Sequence, residues 1–350
     1  MISRRSLLAF AVLPSFLKAA GRGTALAPAL SRYDDLATDL SVTRLTDPAV
    51  SSILPPASAN PIGKNFLLYA SDASGRFEAY RMDLKKGEAR QVSEAAALVP
   101  ESLALLPGEG SYCYFDGDRL MTASLSAIRA TQAYKASDGF EPAGDLHVSV
   151  DGLFVALVEK RGSMYRLRLV NMRTSTAVTL AEADEEMSDP ITRPKRASVM
   201  YRRGEGLWLA NFDGKQNYRL RVAEGGVPQA VWSPDGRSVL YLSGGKLREF
   251  VPDSNEDHAV ADTSQFAAFD RNADASVFVG AGGSKASPYV LLLVRAVKRE
   301  LTLCEHRASD PAMVAPQFAA NSQQVFFNSD LHGKMAIYRM DVAKLVAATE

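Results

Sequence analysis

Short runs of apolar residues, bounded by turn residues, recur at similar spacing along the chain. One equivalent residue can be taken from each run, in the order Tyr69, Tyr114, Ala156, Tyr201, Tyr241, Val279 and Phe327. Neighbouring equivalents are separated by 38 to 48 residues, with a mean of 43. This period, with β-rich runs and no helix between them, is typical of β-propeller blades. The chain is therefore predicted to be an all-β, seven-bladed propeller of four-stranded antiparallel blades, in which each run is a second strand.

Two distant segments support this period because they are nearly copies of each other. The pattern Ser-Asp-x-x-Gly at 71–75, followed by Tyr-Arg-Met-Asp at 80–83, recurs at 329–333 and 338–341. The offset is 258 residues, and seven of thirteen positions are identical. Six periods therefore separate the two copies, which places them in the first and seventh blades.

Turn residues lie where antiparallel hairpins need them. Asp-Gly or Gly-Gly pairs occur at 151–152, 213–214, 235–236 and 244–245. Glycine adopts the positive φ of tight turns, and aspartate accepts hydrogen bonds from free amides. Helical periodicity is limited to short stretches, so antiparallel meanders are favoured over a parallel α/β fold.

The last blade needs a strand from elsewhere in the chain. It begins near Phe318 and has residues for only three strands before the chain ends. The segment Val-Thr-Arg-Leu-Thr at 42–46 has a strand pattern, and it is predicted to become the outer strand of this blade and to close the ring. The propeller domain is predicted over 41–350.

The N-terminal segment has the order of regions found in export signals. Arg4 and Arg5 precede an apolar stretch to about Leu17, and small residues follow at 19–20 and 25–27. This pattern is typical of a bacterial twin-arginine signal peptide, predicted over 1–27 and followed by a linker over 28–40. The mature protein is predicted to be periplasmic or secreted. A chance Arg-Arg pair before a short buried helix is the alternative.

Composition narrows the classes of partner. Lysine plus arginine (40) balance aspartate plus glutamate (40), so the basic surplus needed to bind a phosphate backbone is lacking and no nucleic-acid partner is expected. After the N-terminus no apolar run approaches 18 residues, so no membrane span is predicted. Cys113 and Cys304 fall in separate blades and are predicted to be buried free thiols. The chain is predicted to be a monomer.

Several repeat motifs resemble those of a known propeller group. Ser233-Pro234-Asp235-Gly236 before Leu-Tyr, and the Ser-Asp-x-x-Gly units, resemble the repeats of TolB-like propellers. The segments at 42–46, 87–92 and 325–330 narrow the resemblance to the oligogalacturonate lyases. This resemblance implies an enzyme that cleaves galacturonate oligomers by β-elimination, helped by a divalent cation such as manganese.

The metal ligands that the resemblance implies are absent from the sequence. Its histidines would lie in the segments 313–318 and 226–230, which here read Met-Val-Ala-Pro-Gln-Phe and Gly-Val-Pro-Gln-Ala. Aliphatic side chains cannot coordinate a divalent cation. No metal ligand is therefore predicted, and manganese or another divalent cation is expected only if the protein acts as a lyase.

His147 is the candidate catalytic residue. It lies two residues before Ser149-Val150-Asp151-Gly152, where a first strand would run along the central channel. It could face a ligand as a base or as a donor, and the alternative is a strand histidine satisfied within the fold. The other three histidines, at 258, 306 and 332, are predicted to lie in exposed turns or on solvated strands.

The densest basic patch is the candidate binding surface for an acidic sugar. Its members are Arg193, Lys195, Arg202 and Arg203, and arginine can bind carboxylates through two parallel hydrogen bonds. A solvated loop and hairpin is the alternative. Trp232 precedes a Ser-Pro-Asp-Gly turn and is predicted to pack between blades.

Two functions follow from these patterns. The first is binding or β-elimination of pectin-derived oligogalacturonides outside the cytoplasm, and the second is a non-catalytic scaffold that binds an envelope protein or a glycan. No Gly-x-Ser-x-Gly elbow, Walker loop or dinucleotide fingerprint occurs. Other common enzyme classes are therefore not favoured.

Overall fold

The computed structural model describes residues 21–126, 129–224, 226–264, 266–284 and 286–347, and most of the predicted signal segment lies outside them. Three short strands come first: β1 (Ala25–Leu26), β2 (Ser31–Asp34) and β3 (Ser41–Arg44). Twenty-seven further strands follow, and all of the strands belong to seven antiparallel sheets. The predicted fold class and blade number are confirmed.

The first four blades contain the strands β4 to β19. Blade 1 has β4 (Ser52–Ile53), β5 (Phe66–Ser71), β6 (Glu78–Asp83) and β7 (Ala89–Gln91). Blade 2 has β8 (Ala104–Leu105), β9 (Ser111–Asp116), β10 (Arg119–Ser124) and β11 (Ala130–Lys135). Blade 3 has β12 (Glu141–Val148), β13 (Phe154–Arg161), β14 (Met164–Asn171) and β15 (Thr176–Ala183). Blade 4 has β16 (Met187–Thr192), β17 (Ser198–Arg203), β18 (Gly206–Asn211) and β19 (Asn217–Arg219).

The remaining three blades contain β20 to β30. Blade 5 has β20 (Ala230–Trp232), β21 (Val239–Ser243), β22 (Lys246–Val251) and β23 (Glu256–Asp262). Blade 6 has β24 (Phe266–Arg271), β25 (Val277–Gly282), β26 (Tyr289–Val294) and β27 (Arg299–Glu305). Blade 7 has β28 (Gln317–Phe318), β29 (Gln324–Ser329) and β30 (Ala336–Asp341). Helical structure consists of 3-10 turns at Ala57–Ala59, Pro100–Ser102 and Pro311–Met313 and of α1 (Ala343–Ala347). No helix in the described ranges has the length and apolar character to cross a membrane.

The apolar cores lie between neighbouring blades. In β5, Leu68 and Ala70 pack against blade 2, whereas Leu67 and Tyr69 pack against blade 7. Alternate side chains of a strand point to opposite faces, so a second strand enclosed on both faces must be apolar at every position. This explains the continuous apolar runs in the sequence. The described part of the chain contains seven such clusters, one for each junction between blades.

The ring is closed by the N-terminal strands. β3 pairs with β30, so blade 7 receives its fourth strand from the start of the chain as predicted. β2 adds a fifth strand outside β3, and β1 pairs with β7 on the outer edge of blade 1. β1 and β2 lie in segments that the sequence assigned to the signal and the linker, and the structure places both on the propeller.

Candidate functional site

A cavity of about 630 Å³ lies where the inner strands of the blades converge. All seven blades contribute to its wall, through their first strands and the residues that adjoin them. Its polar or charged wall residues include His147, Lys195, Asp270, Arg271, Asn272 and Gln317. We call this cavity the channel. Its volume and its few polar groups are typical of a small-ligand site.

His147 lies in the channel wall, at the inner end of β12. Its Nδ1 accepts a hydrogen bond from the backbone N–H of Thr192 at 3.2 Å and lies 2.9 Å from the Thr192 Oγ1. Although His147 lines the channel, burial lowers its pKa to about 4, so the imidazole is neutral near pH 7. Acceptance at Nδ1 places the proton on Nε2, which makes His147 a hydrogen-bond donor in this tautomer.

A base at Nε2 requires the other tautomer. The Nδ1–H would then donate to Thr192 Oγ1, and the Thr192 N–H would lose its acceptor. The Thr192 hydroxyl is therefore the group that permits His147 to act as a base. That role stays a prediction.

The predicted basic patch is separated by the fold. Arg193 is buried, donates from Nε to the carbonyl of Gly236 at 2.6 Å and lies over the ring of Trp232. Lys195 is exposed and lies in the channel wall. Arg193 thus supports the junction of blades 4 and 5, and Lys195 alone of the patch reaches the channel.

The other two arginines of the patch lie away from the channel wall. Arg202 pairs with Asp189, and its Nε donates to that carboxylate at 2.8 Å. Arg203 pairs with Glu185 at 2.8 Å, and its guanidinium lies over the ring of Trp208. Both charges are neutralised within blade 4.

Among the charged residues of the channel wall that were not predicted are two neighbours in sequence, Asp270 and Arg271. Arg271 donates from Nε to the carbonyl of Trp232 at 2.7 Å and from Nη1 to the carbonyl of Asn272 at 3.2 Å. The neighbouring Asp270 accepts the backbone N–H of Phe318 at 3.0 Å through Oδ2. Burial raises the pKa of Asp270 to about 6, despite this bond and the nearby guanidinium.

An alignment of the turns would have revealed these residues. The hydrogen bonds that close the turn after the first strand place Ser149, Ser233 and Asn272 at equivalent positions. Asp270 is therefore the equivalent of His147, two residues before the turn. An Asp-Arg pair two residues before this turn indicates charged side chains at the channel. A search for the densest group of basic residues does not find it.

His306 corrects one of the histidine predictions. It was expected on a solvated surface, but only 1% of the residue is exposed. Its Nδ1 accepts the N–H of Ala308, and its Nε2 lies 3.2 Å from the carbonyl of Gly282. His306 therefore has a structural role. Trp232 (2% exposed) packs between blades as predicted, and both cysteines are buried and free.

The fold and the channel define a seven-bladed propeller with a cavity where its inner strands converge. No protein-family model matches the chain. The chain is 23% identical to the oligogalacturonide lyase of Pectobacterium atrosepticum, over 87% of this chain and 94% of that protein. It is 22% identical to the oligogalacturonate lyase of Dickeya dadantii, over 91% of this chain and 97% of that protein.

Solved structures give the same result for the fold. An oligogalacturonate lyase in complex with manganese has a TM-score of 0.86 and 22% identity, covering 91% of this chain and 98% of that chain. The oligogalacturonate lyase of Vibrio parahaemolyticus has a TM-score of 0.84 and 22% identity, covering 92% and 99%. The resemblance to oligogalacturonate lyases that the repeats indicated is confirmed.

The channel does not provide the donors that a divalent cation needs. In the segments where the resemblance implies histidines, Gln229 uses its carboxamide on both the N–H and the carbonyl of Phe269, and Gln317 donates to the carbonyl of Pro55. Within the described ranges, no three His, Cys, Asp or Glu side chains converge. This donor set does not fit manganese.

Proposed function

We propose that the protein binds oligogalacturonides in its channel and cleaves them by β-elimination. The observation that supports this proposal best is the pair of cations, Arg271 and Lys195, in the wall of a 630 Å³ channel. Neither has a carboxylate within 4 Å among the described residues. Because galacturonate carries a carboxylate on each ring, two neighbouring rings match these two positive charges.

In the proposed reaction a cation of the channel stabilises the substrate carboxylate and His147 removes a proton. A cation beside the C6 carboxylate makes the neighbouring C5–H more acidic. In the tautomer that Thr192 Oγ1 supports, His147 Nε2 takes the C5 proton, the electron pair of that bond forms the C4=C5 double bond, and the C4–O bond breaks. The leaving oxygen takes a proton from water, and the hydroxide that remains takes the proton from the His147 imidazolium. The low pKa of His147 keeps the ring unprotonated near pH 7, but it also makes the imidazole a weaker base, so the reaction depends on the cation that acidifies the C5–H.

Non-catalytic binding is the second candidate. It is favoured by the hydrogen bond from the Thr192 N–H, which stabilises the donor tautomer of His147, and by the poor fit of the channel to a metal. Incubation with digalacturonate and trigalacturonate, with ultraviolet absorbance as the measure of unsaturated product, separates the two functions. Product formation supports the lyase, and binding without product supports the second candidate.

We also propose export by the twin-arginine route, on the basis of Arg4, Arg5 and the following apolar stretch. Gly23, Thr24 and β1 bond to β7, so cleavage before residue 23 would keep this edge of blade 1 intact. N-terminal sequencing of protein from the periplasm tests the route and the cleavage point. An uncleaved chain that stays in the cytoplasm would contradict the proposal.

A further inference from the structure

The guanidinium of Arg271 is held in a fixed position in the channel wall. Two of its nitrogens donate to backbone carbonyls, Nε to Trp232 and Nη1 to Asn272. Nη2 has no hydrogen-bond partner among the described residues. A guanidinium has five N–H donors in one plane, so a donor-rich edge remains available to a ligand. Because its position is fixed by backbone, a ligand would not have to order this side chain.

The charge of Arg271 is also left without a close partner. Its neighbour Asp270 faces the backbone of blade 7, and the two side chains come no closer than the 4 Å limit of an ion pair. Arginines elsewhere in the fold, such as Arg248, pair directly with a carboxylate. Burial lowers the pKa of Arg271, which is the cost of desolvating a cation there, and the charge of the neighbouring Asp270 offsets that cost only in part. An anionic ligand would offset that cost.

We infer that Arg271 binds a galacturonate carboxylate and supplies the positive charge there in place of a divalent metal ion. This inference rests on the proposed function. The channel has one anchored guanidinium with a free edge, and the donor set of the channel does not fit a metal. Lys195, on a flexible stem at the channel wall, contacts a second carboxylate. Recognition of the oligosaccharide by this protein is therefore independent of metal.

Calorimetric titration of the full chain with trigalacturonate and with its methyl ester tests this inference. We expect chelator-treated protein to bind trigalacturonate as well as protein given manganese. Arg271→Gln should weaken trigalacturonate binding by about tenfold or more, because a hydrogen bond to a charged group is lost, and should change binding of the ester by less than about twofold. Arg202→Gln, which removes a cation paired in blade 4, is the matched control and should bind like the wild type.

The other possible results of the titration would each overturn the inference or the proposed function, or would support the inference. Wild-type binding that needs manganese would overturn the inference but leave the proposed function intact. Equal weakening of both ligands by Arg271→Gln would show a structural role only. If that variant is unfolded, Arg271→Lys, which keeps the charge, must still prefer the acid to the ester. Wild-type protein that binds neither ligand would overturn the proposed function and the inference together.

Discussion

One inner-strand position accepts the same backbone hydrogen bond in two different blades. His147 in blade 3 accepts from Thr192 of blade 4, and Asp270 in blade 6 accepts from Phe318 of blade 7. In both cases the donor lies one residue before the turn of the next blade. An imidazole and a carboxylate thus join blades in the same way. Burial, however, lowers the pKa of the imidazole and raises the pKa of the carboxylate, so the two groups change the stability of the protein with pH in opposite directions.

The Thr192 hydroxyl decides whether His147 can act as a base. We expect Thr192→Val, which leaves only the backbone N–H facing Nδ1, to fix the donor tautomer. Turnover of digalacturonate should fall about 100-fold or more, the usual contribution of a general base, with little change in binding. Thr192→Ser keeps the hydroxyl and should remain active. Full activity in the valine variant would show that His147 is not the base.

The stability of the protein should depend on His147 at acidic pH. Its pKa is about 4 in the folded state, against about 6.5 when unfolded, so the unfolded chain binds the proton first as pH falls. We expect the wild type to lose up to about 3 kcal/mol relative to His147→Asn between pH 6.5 and pH 4. Urea unfolding at several pH values measures this difference. A constant difference would contradict the burial of a neutral imidazole.

Asp270 should have the opposite dependence. Its folded-state pKa of about 6 exceeds the unfolded value of about 3.9, so the native state holds the proton longer and stability decreases as pH rises from 4 to 6. Asp270→Asn, whose amide oxygen can still accept from Phe318, should be more stable than the wild type at pH 7 by about 1 to 3 kcal/mol. The gain should disappear at pH 4. A variant less stable at pH 7 would contradict the raised pKa.

At the scale of elements, the segment after β3 joins the first and last blades. Leu45 is fully buried between blades 1 and 7, and its N–H donates to the carbonyl of Ile337 at 2.8 Å. Without β3, which precedes this segment, β30 would present an unpaired edge. Closure of the ring therefore depends on residues that lie almost 300 positions from their partners in sequence.

Leu45→Ala should destabilise the protein by about 2 to 5 kcal/mol, because the truncation leaves a cavity in this junction. Leu36→Ala is the matched control, since Leu36 is 85% exposed, and it should change stability by about 0.5 kcal/mol or less. Chemical denaturation measures both effects. Similar stabilities for the two variants would show that the N-terminal segment does not close the ring.

The sequence predicts the blades well because each second strand is enclosed on both faces, which requires a continuous apolar run such as that of β5. It does not predict β1 and β2, because each is a short edge strand that pairs through its backbone and packs one apolar side chain, Leu26 or Tyr33, against a core, which is too little for an apolar pattern. The channel residues are harder still. First strands such as β12 and β24 contain bulges. The face of the sheet on which a side chain lies therefore cannot be found by counting alternate residues along the strand.

The basic patch illustrates the same limit for the site. Arg193, Arg202 and Arg203 are close in sequence to Lys195, yet each has a partner in the fold that satisfies its charge. Arg271 stands apart from other basic residues in the sequence, yet it shares with Lys195 the property of having no carboxylate within ion-pair distance among the described residues of the channel wall. Whether a charged side chain is available to a ligand depends on the residues with which it pairs in the fold. The local composition of the sequence does not show those partners.

At the scale of the whole molecule, the propeller provides a rigid wall made from seven separate segments. Each junction between blades has its own apolar cluster. Side-chain bonds to backbone, such as those of His147, Asp270 and Gln317, fix the inner strands across the junctions. Such a frame can keep its shape while channel residues change, so likeness to manganese-bound lyases in fold does not require the same ligands.

A crystal structure of the protein soaked with digalacturonate tests the central claim most directly. We expect the disaccharide in the channel, with one carboxylate against the free edge of the Arg271 guanidinium and no metal ion between them. An empty channel at saturating ligand, or a carboxylate held by a metal ion away from Arg271, would contradict it.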